Sequence, residues 1–299
     1  MTRNVAHSVQ ERLRAVARRE GREYQATLLL YAQERWLARL AASGQRSHFV
    51  LKGGLFLYSR ACLAARPTQD IDFAGVKTRN EVEGVLEVLR TVARLDLGDG
   101  VVFAADGMTA RSIAEETEVP GVRLRVPAGI GQVQLVLTLD VGFGDAITPA
   151  PVLQRYPTLL VLETGGFEVY TVTLETVIAE KFQAMVHLGE RNTRLKDFYD
   201  LQRIAATETL DAVRLRAALE QTFARRHTDL LTAATLLTQD FSQDVHRQQL
   251  WKAFLTRTRL EAPSGFAEVM KSISTLLGPV VARSAEGRWQ PSAQRWEQD

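Results

Sequence analysis

The sequence contains almost no cysteine and no long apolar segment. A single cysteine, Cys62, excludes an internal disulfide framework and fits a reducing compartment. It lies in the mostly apolar run 55–65, so a small core residue is expected rather than a reactive thiol. No run approaches the roughly 20 apolar residues of a membrane helix. The Arg-rich start also lacks the apolar segment of a signal peptide. These absences predict a cytoplasmic protein without a membrane partner.

Signatures of several enzyme classes are missing as well. The histidines show no metal-ligand spacing, and one cysteine cannot complete a zinc site. There is no Walker A loop, no G-x-S-x-G elbow and no G-x-G-x-x-G fingerprint. The remaining composition, 45% hydrophobic and 24% charged over 299 residues, is ordinary for a globular protein and favours two domains.

Positive charge is concentrated at the start of the chain, although the net charge is only +2. Residues 1–46 contain nine arginines against four acidic residues. Such a region is compatible with a nucleic-acid backbone as partner, and equally with a solvated helix face.

Hydrophobic periodicity predicts an α/β (α+β) domain with a mixed sheet over residues 1–170 and a helical domain over 171–299. Turn residues predict a hairpin connection at 127–131, and the polar composition after 281 predicts a partly disordered tail. The predicted elements are helices at 5–22, 25–42, 55–64 and 80–95, strands at 48–51, 69–74, 101–104, 122–126, 133–141 and 167–170, and helices from 174 to 277 with a break at 263–265.

Two neighbouring motifs carry the clearest chemistry. Gly53 and Gly54 join a strand to an apolar helix, and bare backbone N–H groups there can bind phosphate. Asp70 and Asp72 then lie two apart on a strand and therefore point to one face. Two adjacent carboxylates repel unless a cation lies between them, and Mg²⁺ prefers oxygen ligands. An Asp-x-Asp pair also occurs at solvated strand edges, but this strand is half-apolar, so the combination predicts a metal site.

Four further groups have two interpretations each. Asp140 could join Asp70 and Asp72 if their strands are neighbours, or it could cap a turn at a strand end. Lys181 lies within an apolar helical stripe, where it meets an anion or reaches outward to solvent. Asp197 and Asp200 share a helix face, either to hold Lys181 or as dipole partners in a helix start. The basic cluster Arg191, Arg194 and Lys196 resembles a phosphate-facing loop or forms ion pairs between helices.

The order of these motifs resembles the AbiEii-type nucleotidyltransferase toxins of the polymerase-beta-like nucleotidyltransferase superfamily. The resemblance covers about residues 48–205 and rests on the following motifs: Lys-Gly-Gly at 52–54, Gln-Asp-Ile-Asp-Phe at 69–73, Leu-Asp at 139–140, Ala-Glu-Lys at 179–181 and Lys-Asp-Phe-Tyr-Asp-Leu at 196–201. It implies a Mg²⁺-dependent enzyme that transfers a nucleoside monophosphate from an NTP. It also implies tRNA as the acceptor, at its 3′ end, and a separately encoded DNA-binding antitoxin as partner.

The resemblance also implies roles for individual residues. Lys52, Gly53 and Gly54 would bind the triphosphate, and Asp70 and Asp72 would bind Mg²⁺, with Asp140 at a third acidic position. The remaining roles fall on the helical half: Lys181 and Lys196 beside phosphate, and Asp197 or Asp200 as a further acidic group needed for activity. Many members have Gly-Ser where this chain has Gly53-Gly54, so a hydroxyl contact to phosphate is lost while the backbone amides remain.

Two alternatives use the same residues. A related enzyme would transfer the nucleotide to a small molecule such as an aminoglycoside, or to a protein hydroxyl. A relative without catalysis would bind a nucleotide or a partner protein. The completeness of the set argues against the second, because binding alone does not require Asp70, Asp72 and Lys181 together.

Overall fold

The computed structural model describes residues 2–61, 66–76, 78, 80–114, 120–162, 165–237, 239–263 and 265–298. Cys62 and the end of the helix predicted to run to residue 64 lie outside these ranges. The chain forms two compact units, one from residues 1–145 and 151–172 and the other from residues 146–150 and 173–299.

The first unit is built on a mixed sheet. Its elements are α1 (Thr2–Arg19), α2 (Tyr24–Ala42), β1 (Phe49–Lys52), α3 (Gly53–Ala61), β2 (Asp70–Gly75), α4 (Val82–Ala93), β3 (Val101–Phe103), β4 (Thr109–Ala114), β5 (Pro120–Ile130), β6 (Val133–Phe143), β7 (Val152–Arg155) and β8 (Glu168–Thr171). The described strands follow the order β3-β5-β6-β2-β1-β8-β7, and β4 pairs with β5. The pairs β2–β6 and β1–β8 are parallel, and the other pairs are antiparallel. The predicted mixed sheet is confirmed.

Strict alternation in the central strands separates an apolar face from a polar face. Ile71 and Phe73 on β2, and Leu137 and Leu139 on β6, are fully buried. Helices α2 and α4 contact the sheet and contribute the other half of this core. The intervening side chains of β2 and β6 therefore lie on the opposite face, where they are only partly buried.

The two predicted N-terminal helices are present as α1 and α2, but part of their basic charge is not on the surface. Arg35 and Arg39 are each 1% exposed. Arg39 donates two hydrogen bonds to Asp99, at 2.7 and 3.0 Å, and Arg35 pairs with Glu34. Buried charges require such partners. These two arginines consequently stabilise the fold and cannot contribute to a nucleic-acid surface.

The hairpin between β5 and β6 is tighter than predicted. β5 continues through Pro127 to Ile130, and the turn is formed at Gly131 and Gln132, with Gly131 at φ +59°. The Pro127 carbonyl accepts a hydrogen bond from the Ala104 N–H at 2.9 Å, which ties β5 to the end of β3. The predicted hairpin is confirmed, but its turn lies at 131–132 and not over the whole of 127–131. The sequence pattern also missed β4 and β7.

The second unit is mainly helical, as predicted. Its elements are α5 (Leu174–Leu188), α6 (Leu195–Thr207), β9 (Leu210–Asp211), α7 (Ala212–Arg225), α8 (Ala233–Leu236), α9 (Gln239–Gln243), α10 (Val245–Thr258), α11 (Phe266–Val281), β10 (Arg288–Gln290) and β11 (Arg295–Glu297). In the described part of the chain, no helix has both the length and the apolar character that crossing a membrane requires.

The predicted disorder of the tail after residue 281 was wrong. Strands β10 and β11 form a small antiparallel sheet with β9. Trp289 is fully buried, and its indole N–H donates to the Ala205 carbonyl at 2.8 Å. Trp296 packs edge-on against Trp289, with ring centroids 5.6 Å apart. Two tryptophans thus anchor a segment whose average composition is polar.

Candidate active site

Charged side chains form a row across four adjacent strands of the first unit. Asp72 on β2 lies opposite Lys52 on β1 and Asp140 on β6, and Asp140 lies opposite Arg123 on β5. Residues opposite one another in a sheet project from the same face. Asp70 projects from this face too, two residues before Asp72. The structure therefore brings together the three aspartates predicted to share a surface.

Helix α3 begins against this row without any intervening loop. Gly53, the first residue of α3, has φ +65°, and a Cβ at this position would lie 2.0 Å from Asp72 Oδ2. A Cβ at Gly54 would lie 2.5 Å from Thr68 Oγ1. Gly53 and Gly54 were predicted as a turn, but they are the first two helical residues. Only glycine lets the helix start approach Asp72 this closely, which places backbone N–H groups that have no partner within the helix beside the carboxylate face.

We expect Gly53→Ala to lower the transfer activity that the motif resemblance implies by about 100-fold or more. The new methyl group must displace Asp72 or the start of α3, and shifts of this size in a site have such effects. Steady-state transfer rates and thermal unfolding measure the two consequences. Gly21→Ala is the matched control, since Gly21 also has positive φ but no atom within 4 Å of the added Cβ. If both substitutions lowered the transfer rate equally, the effect of Gly53→Ala would come from backbone strain at positive φ and not from the contact with Asp72.

Arg123 holds the third aspartate. Its Nε and Nη2 donate to the two carboxylate oxygens of Asp140 at 2.7 and 2.6 Å, and the side chains are 37% and 18% exposed. The hydrogen bonds to Asp140 raise the pKa of Arg123 above its ordinary value, and burial acts in the opposite direction. The negative charges of Asp140, Asp70 and Asp72 also raise this pKa. The sequence pattern showed arginine alternating with apolar residues on this strand but gave Arg123 no role.

Lys52 also has an acidic partner that the sequence pattern missed. Its Nζ donates to Asp145 Oδ2 at 2.9 Å, and the Asp145 side chain is 4% exposed. Asp145 lies two residues after the end of β6. The row therefore has a cation at each end, Lys52 paired with Asp145 and Arg123 paired with Asp140. Asp140 is not at a strand end, because β6 continues to Phe143, and the alternative of a turn cap is excluded.

The donor set fits a divalent cation bound together with a triphosphate. Among the described residues, no group of three or more histidine, cysteine or acidic side chains has the geometry of a metal site. Mg²⁺ needs fewer protein ligands, since one or two carboxylates commonly suffice when phosphate oxygens and waters complete the shell. Asp70 and Asp72 are the two that match, while Asp140 is engaged by Arg123.

The second unit contains a separate buried cluster. Lys181 Nζ on α5 lies 2.7 Å from Asp197 Oδ1 and 2.8 Å from Asp200 Oδ2 on α6, and the three side chains are at most 11% exposed. Arg194 Nε reaches Asp197 Oδ2 at 2.9 Å. Burial would raise the pKa of Asp197, but the charges of Lys181 and Arg194 and the hydrogen bond from Lys181 lower it below its ordinary value. Both aspartates hold Lys181, whereas Lys196 is exposed.

The structure is similar to the solved structure of a nucleotidyltransferase toxin. MenT4, a nucleotidyltransferase toxin from Mycobacterium tuberculosis H37Rv, matches with a TM-score of 0.56 and 20% identity over 91% of this chain and 98% of that chain. A putative nucleotidyltransferase from Helicobacter pylori has a TM-score of 0.48 and 18% identity over 88% of this chain and 97% of that chain. JHP933 from Helicobacter pylori has a TM-score of 0.46 and 17% identity over 88% of this chain and 94% of that chain. No curated protein sequence matches at a significant level. The likeness to MenT4 confirms the predicted fold class.

The family model for the nucleotidyl transferase AbiEii toxin of type IV toxin–antitoxin systems matches residues 35–276. The chain belongs to this family, which confirms the resemblance seen in the motifs. The matched range includes the carboxylate row, the start of α3 and the Lys181 cluster.

Proposed function

We propose that this protein is a Mg²⁺-dependent nucleotidyltransferase that transfers a nucleoside monophosphate from an NTP to RNA, at the 3′ end of tRNA. In this proposal it acts as a toxin that blocks translation and is opposed by a separately encoded, DNA-binding antitoxin. The observation that supports it most is the approach of Gly53 to Asp72, which joins a phosphate-binding helix start to a pair of carboxylates.

Each part of this face has a distinct task in the proposal. Asp70 and Asp72 would hold Mg²⁺, which when bound neutralises phosphate charge. The backbone N–H groups at Gly53 and Gly54 would donate to the triphosphate, and Lys52, already turned toward this face, would add positive charge. Holding the reacting groups in place and neutralising charge provide most of the catalysis in phosphoryl chemistry.

The reaction forms a bond from the acceptor hydroxyl oxygen to the α-phosphorus and breaks the bond to pyrophosphate, which leaves with its electron pair. The hydroxyl proton passes to a carboxylate. Asp140 is the candidate acceptor: each of its oxygens accepts one hydrogen bond from Arg123 and keeps a second lone pair. In the second unit we assign Lys181 and Lys196 to phosphate contact and Asp197 or Asp200 to the remaining acidic function.

A transfer assay tests the acceptor and the nucleotide together. The full-length protein is incubated with total tRNA, Mg²⁺ and each of the four α-labelled NTPs in turn, with and without EDTA. We expect label on tRNA with at least one NTP and none when EDTA is present. Label on an aminoglycoside or on protein, but never on RNA, would instead favour the small-molecule or protein acceptor. Binding of Mg²⁺-NTP without any transfer would favour the non-catalytic relative.

A further inference from the structure

The carboxylate row continues into a group of arginines on the same face. Arg111 on β4 lies opposite Arg123 on β5, and Arg125 on β5 lies opposite Thr138 on β6, which in turn lies opposite Asp70. Arg111 and Arg125 therefore project from the face that carries Asp70 and Asp72. The other face of β5 is fully buried at Val122, Leu124 and Val126, so its arginines are confined to the face of the candidate site.

Arg111 and Arg125 differ from the cations already described. Lys52 and Arg123 are held by Asp145 and Asp140, which offset their charges. Arg111 and Arg125 are exposed, and neither has an ion pair or a hydrogen-bonded carboxylate among the described residues. The sheet face is thus negative at Asp70 and Asp72 and carries two uncompensated positive charges toward β4.

The spacing of these charges suits a chain of phosphates. Adjacent strands are about 4.8 Å apart, so the backbone of Arg125 lies roughly 10 Å from Asp70, and that of Arg111 roughly 14 Å from Asp72. Consecutive phosphates of a nucleic-acid strand are several ångströms apart, so these distances correspond to a few nucleotides.

We propose that Arg111 and Arg125 form the surface that binds the phosphate backbone of the acceptor RNA, a few nucleotides from the terminus placed at Asp70 and Asp72. This inference rests on the proposed function, because it names the surface that recognises the acceptor of the same site. It also replaces the basic N-terminal region as the RNA surface. In that region Arg35 and Arg39 are buried in the core. Arg111 and Arg125, in contrast, lie on the same sheet face as Asp70 and Asp72.

Direct binding of 5′-labelled total tRNA to the full-length protein tests the surface without requiring turnover. We expect Arg111→Gln/Arg125→Gln to raise the Kd at least about tenfold at low salt. The slope of log Kd against log salt should fall by about 1.4, since each phosphate contact on a single strand contributes about 0.7. Arg111→Lys/Arg125→Lys should restore most of the affinity, because the counterion release that governs binding to phosphates depends on the charge of the side chain.

The matched control is Lys252→Gln/Arg257→Gln, which removes the same charge from two exposed positions of α10. This variant should bind tRNA like the unmodified protein, and thermal unfolding should show both Gln variants folded. Equal tRNA affinity of Arg111→Gln/Arg125→Gln and the unmodified protein would overturn the inference, as would an equal loss in the α10 variant or no tRNA binding at all. Failure of the proposed function has a different signature: tRNA binding that depends on Arg111 and Arg125 without nucleotide transfer.

Discussion

Asp72→Asn is expected to lower nucleotidyl transfer by about 1000-fold or more while the protein stays folded. Loss of a single group that stabilises charge in a transition state typically costs 100- to 1000-fold, and Asp72 also contacts the start of α3. Asparagine has nearly the same shape, so the substitution removes the charge with little change in packing. Transfer rates at saturating NTP and tRNA measure the effect, with unfolding temperature as the check on the fold. Asp70→Asn should behave in the same way.

Asp106→Asn is the control for removing an acidic charge from the first unit. Asp106 is 93% exposed, and among the described residues its ion-pair partner is Arg94 on the surface, so we expect the rate and stability of Asp106→Asn to be nearly unchanged. Full activity in Asp72→Asn or Asp70→Asn would refute the metal assignment. Asp70 and Asp72 would then be ordinary polar residues of a solvated strand.

Lys181→Met should have the largest effect on stability. It leaves Asp197 and Asp200 buried without their shared cation, and breaking a buried ion pair from one side costs about 3–5 kcal/mol. Urea unfolding at neutral pH measures the loss. Lys196→Met is the matched control because Lys196 is exposed, and its stability should change by less than about 0.5 kcal/mol.

The pH dependence gives an independent check on the Lys181 cluster. The pKa of Asp197 is lowered in the folded protein, so its contribution to stability is present above its unfolded pKa and is lost as the pH falls through its folded pKa. The difference in free energy of unfolding between wild type and Lys181→Met should therefore narrow in acid, as the Asp197 carboxylate becomes protonated. Unchanged stability of Lys181→Met with complete loss of transfer would instead make Lys181 a phosphate ligand alone.

The parts of the fold that the sequence predicted are those with strong local periodicity. Alternation along 69–74 and 133–141 identified β2 and β6 and placed Asp70, Asp72 and Asp140 on their polar faces. Motif order then gave the family. The elements that were missed lack this signal: β7 lies among prolines, and β10 and β11 are short and polar apart from their tryptophans. Their positions depend on long-range pairing.

The same limit applies to the partners of the predicted residues. Arg123 and Asp140 are 17 positions apart, and Lys52 and Asp145 are 93 apart, so only the strand register brings each pair together. The direction of Lys181 was left open because a helical stripe cannot distinguish a buried ion pair from a lysine that reaches solvent. The burial of Arg35 and Arg39 was likewise invisible, since each depends on a partner or ring outside its own helix.

The most direct test of the central claim compares NTP labelled at the α-phosphate with NTP labelled at the γ-phosphate, each incubated with the protein, Mg²⁺ and total tRNA. Nucleotidyl transfer predicts that the α-label joins the RNA and that the γ-label is released in pyrophosphate, with both signals lost in Asp72→Asn. Transfer of the γ-label to the acceptor, or label transfer that persists in Asp72→Asn, would contradict the mechanism proposed for this site.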